Sequence, residues 1–387
     1  MAVVGILCEY NPFHRGHARQ FSLIRSRFGA DTAIVCLMSG SFTQRGKPAV
    51  FAPEVRAAAA VDCGASLVLE LPVFCTLRSA EGYANAAVEI FEKLGIVDHM
   101  CFGAEHADRE KLMQTAKSLC SGQYEKMLKK LLDTHVSYPA ARQQALSRLG
   151  LDDTLLREPN DILAVEYCKA LYQRKSRIEP FVIERTGGYH DLAPDEENPS
   201  AAAVRSLLPD GNWRALVPEQ AAKHYENAEI FCMEAGQRAM LARLRAMTEA
   251  QWQAVPYGSE GLYHCVYRAV QSEASVEMIA EKAKSKRYVR SRLDRMLLCA
   301  YLGLTDELLQ RSPEQIKILG FDETGRALLK KLHETSGVAL LHPGEKPENA
   351  EIAELMRRCD GLYALFSAQN TGLTPAFAKK TKIYSKK

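Results

Sequence analysis

Along the first 210 positions the chain alternates short unbroken apolar runs with longer stretches in which apolar residues recur every three or four positions. Val3–Glu9 and Thr32–Met38 are runs of the first kind, as expected of strands buried on both faces of a parallel sheet. Between them, Phe21, Ile24 and Phe28 lie at helical spacing over Ala18–Phe28, which completes one strand–helix–strand unit. The alternation continues with a proline-initiated, alanine-rich helix over Pro53–Cys63, a strand over Leu67–Pro72, a helix over Ser79–Leu94 and a strand over His99–Glu105. The stretch from Asp108 to about Arg174 is mostly helical; Ile178–Arg185 then returns as a strand and Pro199–Leu208 as a helix. This is the pattern of an α/β fold, a Rossmann-like, doubly wound parallel sheet.

After the turn signal Pro209-Asp210-Gly211 the periodicity is helical and the surface positions are richer in arginine and lysine. The expected organisation is therefore a sheet domain over residues 1–210 and a mainly helical, basic domain over 211–387. Composition agrees with an ordinary globular enzyme: 47% of 387 residues are hydrophobic and the formal net charge is +3, too small to demand or exclude a nucleic-acid partner. The eleven cysteines form no Cys-x-x-Cys pair, which argues against a zinc ribbon or a disulfide framework and for a reducing cytoplasmic setting. The opening apolar run lacks a basic leader and is broken by Glu9 and Asn11, and no later run approaches membrane-spanning length, so no membrane partner is expected. Oligomeric state is left open, since no heptad seam is present.

In an open parallel sheet, ligands bind beyond the carboxyl ends of the strands, where a helix N-terminus offers unpaired N–H groups to phosphate. His14 and His17 fall there, around Gly16, immediately after the first strand. Two imidazoles on a first helical turn suit hydrogen bonding to the phosphates of a nucleotide, and Gly16 lets the backbone approach. A zinc pair is disfavoured because no third Cys or His stands at a matching spacing, and plain helix capping is the bland alternative. Read without further context, Gly103 is an ordinary turn glycine, Asn160 an N-cap and Arg185 a surface arginine at the end of a strand. The loop Phe42–Val50 carries Gln44, Arg45 and Lys47 next to glycine and proline, either as a solvated loop or as a cover over a ligand. In the C-terminal part, Lys286, Arg287, Arg290, Arg292 and Arg295 surround Tyr288, and lysines recur in the tail KKTKIYSKK; basic residues interleaved with an aromatic suit an RNA backbone, although a solvated helix face is the commoner cause.

His14-Arg15-Gly16-His17 fits the H-x-G-H motif of the nucleotidylyltransferase superfamily. The longer strings GILCEYNPFHRGH, MSGSFTQRGKPAV, LVLELP, CFGAE, EPNDILAVEY and RTGGYH, together with KRYVRSRLDRMLL further on, resemble the bacterial tRNA(Met) cytidine acetate ligase family. That resemblance implies ATP as substrate, with Mg2+, and two steps: acetate attacks the α-phosphate to give acetyl-AMP and pyrophosphate, and the N4 amine of the wobble cytidine of elongator tRNA(Met) then takes the acetyl group. It implies His14 and His17 as catalytic residues, and an ATP site made by Val4, Gly5, Asn11, Pro12, Phe13, His14, Gly16, His17, Gly103, Asn160 and Arg185. Ser200 and Arg205 occupy the place of the superfamily's Ser-x-Thr-x-x-Arg signature, with Ala202 where the threonine would be. Arg45, Lys47, Lys286, Arg287, Arg290, Arg292 and Arg295 become candidates for tRNA, and Asp161 a candidate to face magnesium. Two other classes remain open at this level: an adenylyltransferase or acetate ligase acting on a small molecule or a protein, and a non-catalytic RNA-binding protein that keeps a nucleotide fold.

Overall fold

The computed structural model describes residues 1–134, 136–185, 198–285, 287–342, 345, 348–369 and 384–385. Its sheet runs β1 (Val3–Cys8), β2 (Ala33–Ser39), β3 (Leu67–Leu71), β4 (His99–Ala104), β5 (Glu179–Glu184), β6 (Gln315–Phe321), β7 (Ala339–Leu341) and β8 (Tyr384–Ser385). Across the sheet the order is β5-β4-β1-β2-β3-β6-β7, with β8 also on β6. The first five strands are mutually parallel, with Gly5 opposite both Val35 and Met100. Strand order reverses about β1, which lies between β2 and β4, and such a switch point opens a crevice at the carboxyl ends of the strands.

The apolar runs form strands because both faces are covered. Side chains alternate across a strand, so Val3, Val35, Leu37, Leu67, Leu69 and Leu71 join one buried cluster while Val4, Ile6, Ile34, Cys36, Met38 and Val68 join the other. The helices packed on the sheet are Arg15–Phe28, Pro53–Asp62, Ala80–Leu94, Pro159–Gln173 and Ala201–Leu207; the first starts three residues before Ala18, where the apolar spacing placed it, because His14 caps it.

Residues beyond 211 are mainly helical, as expected, and they also return to the sheet, which the periodicity did not indicate. Strand β6 lies antiparallel to β3, pairing Leu67 with Phe321, and carries β7 and β8 in parallel. The first of the two clusters continues from Val3 in β1 through Leu297 and Leu298 of the Arg290–Leu302 helix to Phe366, so one buried apolar body spans residue 210. Among the described residues no helix is long and apolar enough to cross a membrane.

One polar side chain is built into this core. Arg56, in the alanine-rich Pro53–Asp62 helix, is fully buried and donates to the carbonyls of Phe51 (2.9 Å), Ser39 (3.1 Å), Glu9 and Gly40. Three of these carbonyls belong to the carboxyl ends of β1 and β2, where a parallel ladder stops and backbone acceptors lose their partners. Burial pulls the guanidinium's pKa down from its ordinary value. Replacing Arg56 by alanine strands several buried acceptors at once, and Arg56→Ala is expected to lower unfolding stability by about 3 kcal/mol or more. The measurement is the urea midpoint at constant slope.

Candidate active site

Beyond the carboxyl ends of β1 and β4 lies a cleft of about 1230 Å³. Its walls include His14, Gly16 and His17, Gly103, Asn160 and Arg185, and Ser200, Ala202 and Arg205. Chain segments nearly 200 residues apart thus meet at the place the topology singles out.

The turn entering the first helix is fixed from several directions. The Oδ1 of Asn11 accepts from the N–H of Val50 at 2.7 Å, its carbonyl accepts from Arg205 Nη1 at 2.6 Å, and the N–H of Phe13 donates to the Tyr225 hydroxyl at 3.0 Å. The Asn11–Pro12 peptide is cis. His14 then caps the Arg15–Phe28 helix: its Nδ1 accepts from the N–H of Gly16 at 3.1 Å, while Nδ1 of His17 accepts from the N–H of His14 at 3.3 Å. The rings stack with centroids 3.8 Å apart. An Nδ1 that accepts a backbone N–H carries no proton, so the hydrogen-bond pattern assigns the neutral ring proton to Nε2 in both residues. Burial, then the positive field of Arg185 and Arg205, lowers the pKa of His14 to about 3. Burial and the neighbouring His14 hold His17 well below the usual imidazole range. The pair therefore stays uncharged near neutrality and presents two N–H donors. Capping is what sets the tautomer of both rings.

Gly16 makes room for this arrangement, because a Cβ there would sit 2.9 Å from Cε1 of His14. At Gly103 the space of a Cβ is taken by the stem of Arg185, with Cγ at 2.7 Å, so this glycine seats the arginine over β4. Arg185 in turn donates from Nη1 to Asn160 Oδ1 at 2.9 Å, and Asn160 Nδ2 donates to Glu105 Oε1 at 2.5 Å. Ser200 caps the Ala201–Leu207 helix, its hydroxyl accepting from the N–H of Ala203 at 3.0 Å. Val4, Gly5, Pro12 and Phe13 do not border the cleft: Val4 and Phe13 are core, Pro12 is buried, and Gly5 packs under the Phe91 ring. They support the site from behind. Asp161 is also turned away, for both its oxygens accept from His106, one from the backbone N–H at 2.9 Å and the other from Nδ1 at 2.6 Å. The magnesium role expected for it does not hold. Among the described residues no cluster of three or more His, Cys, Asp or Glu is placed to hold a metal ion.

The basic residues of the C-terminal part face the same cleft, which includes Arg45, Lys47, Arg287, Arg290, Arg292 and Arg295. Most are committed to internal partners. Lys47 pairs with Asp294 at 3.2 Å; Arg290 is held by Glu277, Glu281 and Asp294; Arg287 and Arg292 reach Glu260, and Arg292 donates to the Tyr257 carbonyl at 2.9 Å. Arg295 is buried with its guanidinium 5.0 Å from the Tyr257 ring centroid. Arg45 stands exposed at the rim. Lys286, the tail lysines and all of RTGGYH after Arg185 lie outside the described residues. Sequence reasoning missed a buried ion pair on the cleft wall, Arg142–Glu166 at 2.6 Å, beside the ring of Tyr138. Its members are separated by 24 positions, and nothing local signals their pairing.

Sheet order, switch-point cleft and a capped pair of neutral histidines define the class as a nucleotidyltransferase-type α/β protein. The family model described as HIGH Nucleotidyl Transferase matches residues 1–374. A protein of Acetivibrio thermocellus named tRNA(Met) cytidine acetate ligase is 33% identical, with 93% of this chain and 90% of that protein covered. One of the same name from Clostridium novyi is 31% identical over 88% of this chain and 89% of its own length. The chain belongs to the tRNA(Met) cytidine acetate ligase family of HIGH nucleotidyl transferases. Among solved structures, Thermotoga maritima TmcAL without ligand superposes with a TM-score of 0.90 at 27% identity, and the same protein bound with alpha-thio ATP at 0.89, each covering 100% of both chains.

Two outcomes are expected from this geometry. Between about pH 6.5 and pH 5 the unfolded chain takes up protons on His14 and His17 that the folded chain refuses, so stability falls as pH falls. His14→Asn keeps a good cap and removes one such group, and should cut the slope of unfolding free energy in that window by up to about 1.4 kcal/mol per pH unit, read from urea midpoints. Gly103→Ala should displace Arg185 and raise the KM for ATP about tenfold or more while leaving the fold intact, checked by steady-state kinetics beside circular dichroism.

Proposed function

We propose that this chain is an ATP-dependent tRNA(Met) cytidine acetate ligase, which activates acetate as acetyl-AMP and transfers the acetyl group to N4 of the wobble cytidine of elongator tRNA(Met). Family membership supports the reaction, and the observation that carries the reading into this chain is the neutral His14/His17 pair at the β1 switch point, flanked by Arg185 and Arg205.

Attack of a carboxylate on an α-phosphate needs positioning and charge stabilisation more than a protein nucleophile. In this reading the two Nε2–H groups of His14 and His17 donate to phosphate oxygens. Their neutrality matters, because a neutral imidazole enters the buried turn without the solvation cost of an added cation. Arg185, oriented by Asn160 and seated over Gly103, supplies the nearby positive charge, and Arg205 holds the turn through the Asn11 carbonyl. Ser200 places a helix start at the same edge, without the second hydroxyl that a threonine at position 202 would add. Mg2+ would enter with the triphosphate and offset part of its charge; among the described residues no cluster of His, Cys, Asp or Glu is placed to hold it.

Residues 1–210 then form the activating part, and residues 211–387 bring the basic wall to the cleft that it shares with His14 and His17. Arg287, Arg290, Arg292 and Arg295 are the described residues of that wall, with Lys286 next to them in sequence, and Arg45 and Lys47 join them from the Phe42–Pro48 loop; its exposure at the rim makes Arg45 the first candidate for a direct phosphate contact. A tRNA substrate supports a cytoplasmic location.

The test is to incubate purified protein with ATP, Mg2+, labelled acetate and unmodified tRNA transcripts, then digest the RNA. Label in N4-acetylcytidine, confined to elongator tRNA(Met), is the expected result; pyrophosphate release with unlabelled RNA would overturn the assigned acceptor. His17→Ala should slow acetate-dependent ATP–pyrophosphate exchange about 10²- to 10³-fold, and unchanged exchange would remove the histidines from the reaction.

A further inference from the structure

The transfer step raises a requirement that the histidines do not meet. The cytidine N4 amine carries two hydrogens, and the product amide keeps one. As N4 attacks the acetyl carbonyl, a C–N bond forms, the C–O bond to the phosphate of AMP breaks with its electron pair leaving on AMP, and one N4 proton needs an acceptor. Both Nδ1 atoms of His14 and His17 already accept backbone N–H groups, and both Nε2 atoms carry protons. The tyrosines on the wall, Tyr10, Tyr83, Tyr138, Tyr167 and Tyr257, are all pushed up by burial and keep their protons.

Four carboxylates border the cleft: Glu9, Glu81, Glu166 and Glu184. Glu81 is paired with Lys169 at 2.6 Å, Glu166 is the counter-ion of Arg142, and Glu184 is exposed at the end of β5. Glu9 differs. It is the first residue past β1, half-buried, and its backbone carbonyl is gripped by Arg56. Its Oε1 accepts from the N–H of Gln44 at 2.7 Å, which fixes the carboxylate's orientation through the Phe42–Pro48 loop. No other hydrogen bond or ion pair reaches this carboxylate among the described residues, so Oε2 has an acceptor site in hand.

Resting on the ligase reading, we propose that Glu9 is the catalytic base of the transfer step, its Oε2 taking the proton from the cytidine N4 amine as the acetyl group arrives. The surroundings suit that task. Burial raises the carboxyl's pKa and so makes the carboxylate more basic, while the Gln44 N–H and the field of Arg205, Arg56 and Arg45 oppose the rise. The position suits it too, since Glu9 is separated only by the Tyr10–Phe13 turn from the histidine pair.

The experiment separates the two half-reactions in the full-length protein, using acetate-dependent ATP–pyrophosphate exchange and single-turnover acetyl transfer to elongator tRNA(Met) transcript. Glu9→Gln keeps the Gln44 contact available and removes the base. It should leave exchange within about threefold of wild type, slow transfer about 10²- to 10⁴-fold, and abolish the loss of transfer rate on acidification that the wild type shows as Glu9 protonates. Glu166→Gln should retain that acid limb. Transfer by Glu9→Gln at the wild-type rate, or an acid limb surviving in that variant, would overturn the assignment. So would an equal fall of both half-reactions in Glu9→Gln and in Glu9→Asp, which would make the residue a prop for the Phe42–Pro48 loop. A wild-type enzyme that exchanges pyrophosphate yet acetylates no RNA would defeat the ligase reading itself, an outcome distinct from transfer by wild type and variant alike, which defeats Glu9 alone.

Discussion

The Arg56 side chain is the constraint on which the site depends. A parallel sheet that opens at a switch point ends in a row of carbonyls without ladder partners, and these ends must be both buried and held apart for a nucleotide to enter. One guanidinium answers four carbonyls there, from Glu9, Ser39, Gly40 and Phe51. Its fork geometry ties the exits of β1 and β2 to the helix that follows, and its charge is spread over acceptors in place of a single carboxylate. Everything on the cleft side, from Glu9 through the Asn11–Pro12 turn to the histidine caps, hangs from this point.

The electrostatics of the cleft follow a single rule: positive charge is supplied by residues that other contacts orient, and the two histidines that cap the first helix stay neutral. Arg185 is steered by Asn160, Arg205 by the Asn11 carbonyl, and Lys47 and Arg290 by Asp294. Burial first, and then the field of these arginines, keeps His14 and His17 unprotonated. The cationic wall and the uncharged donors are two sides of one arrangement, preorganised before any ligand arrives.

Much of this was legible in the sequence where the information is local. Strands β1 to β5 and the helices between them follow from apolar runs and capping signals, and the His-x-Gly-His position follows from strand, turn and helix in succession. What was not legible depends on distant pairing. Strand β6 is a run of seven residues interrupted by Lys317 inside a helical stretch, and its pairing with β3 spans about 250 positions, so no local period announces it. Arg56 was visible as the lone cation among alanines, yet its meaning needed the carbonyls it meets. Asp161 looked available beside Asn160 until His106, from a separate strand end, was found against both oxygens. Glu9 stood in plain view within the motif, and only its surroundings distinguish it from the other acids on the wall.

Strand β6 has a consequence for how such a protein could be divided. Its antiparallel pairing covers the outer side of β3, and the apolar layer beneath continues into the C-terminal helices. A chain cut at residue 210 would leave β3 as a naked edge with unanswered backbone groups beside an uncovered greasy face, the combination that recruits other molecules by strand addition. The first 210 residues are therefore not a detachable cassette. Inheritance, duplication or fusion would have to carry the two parts together, since each completes the other's sheet and core.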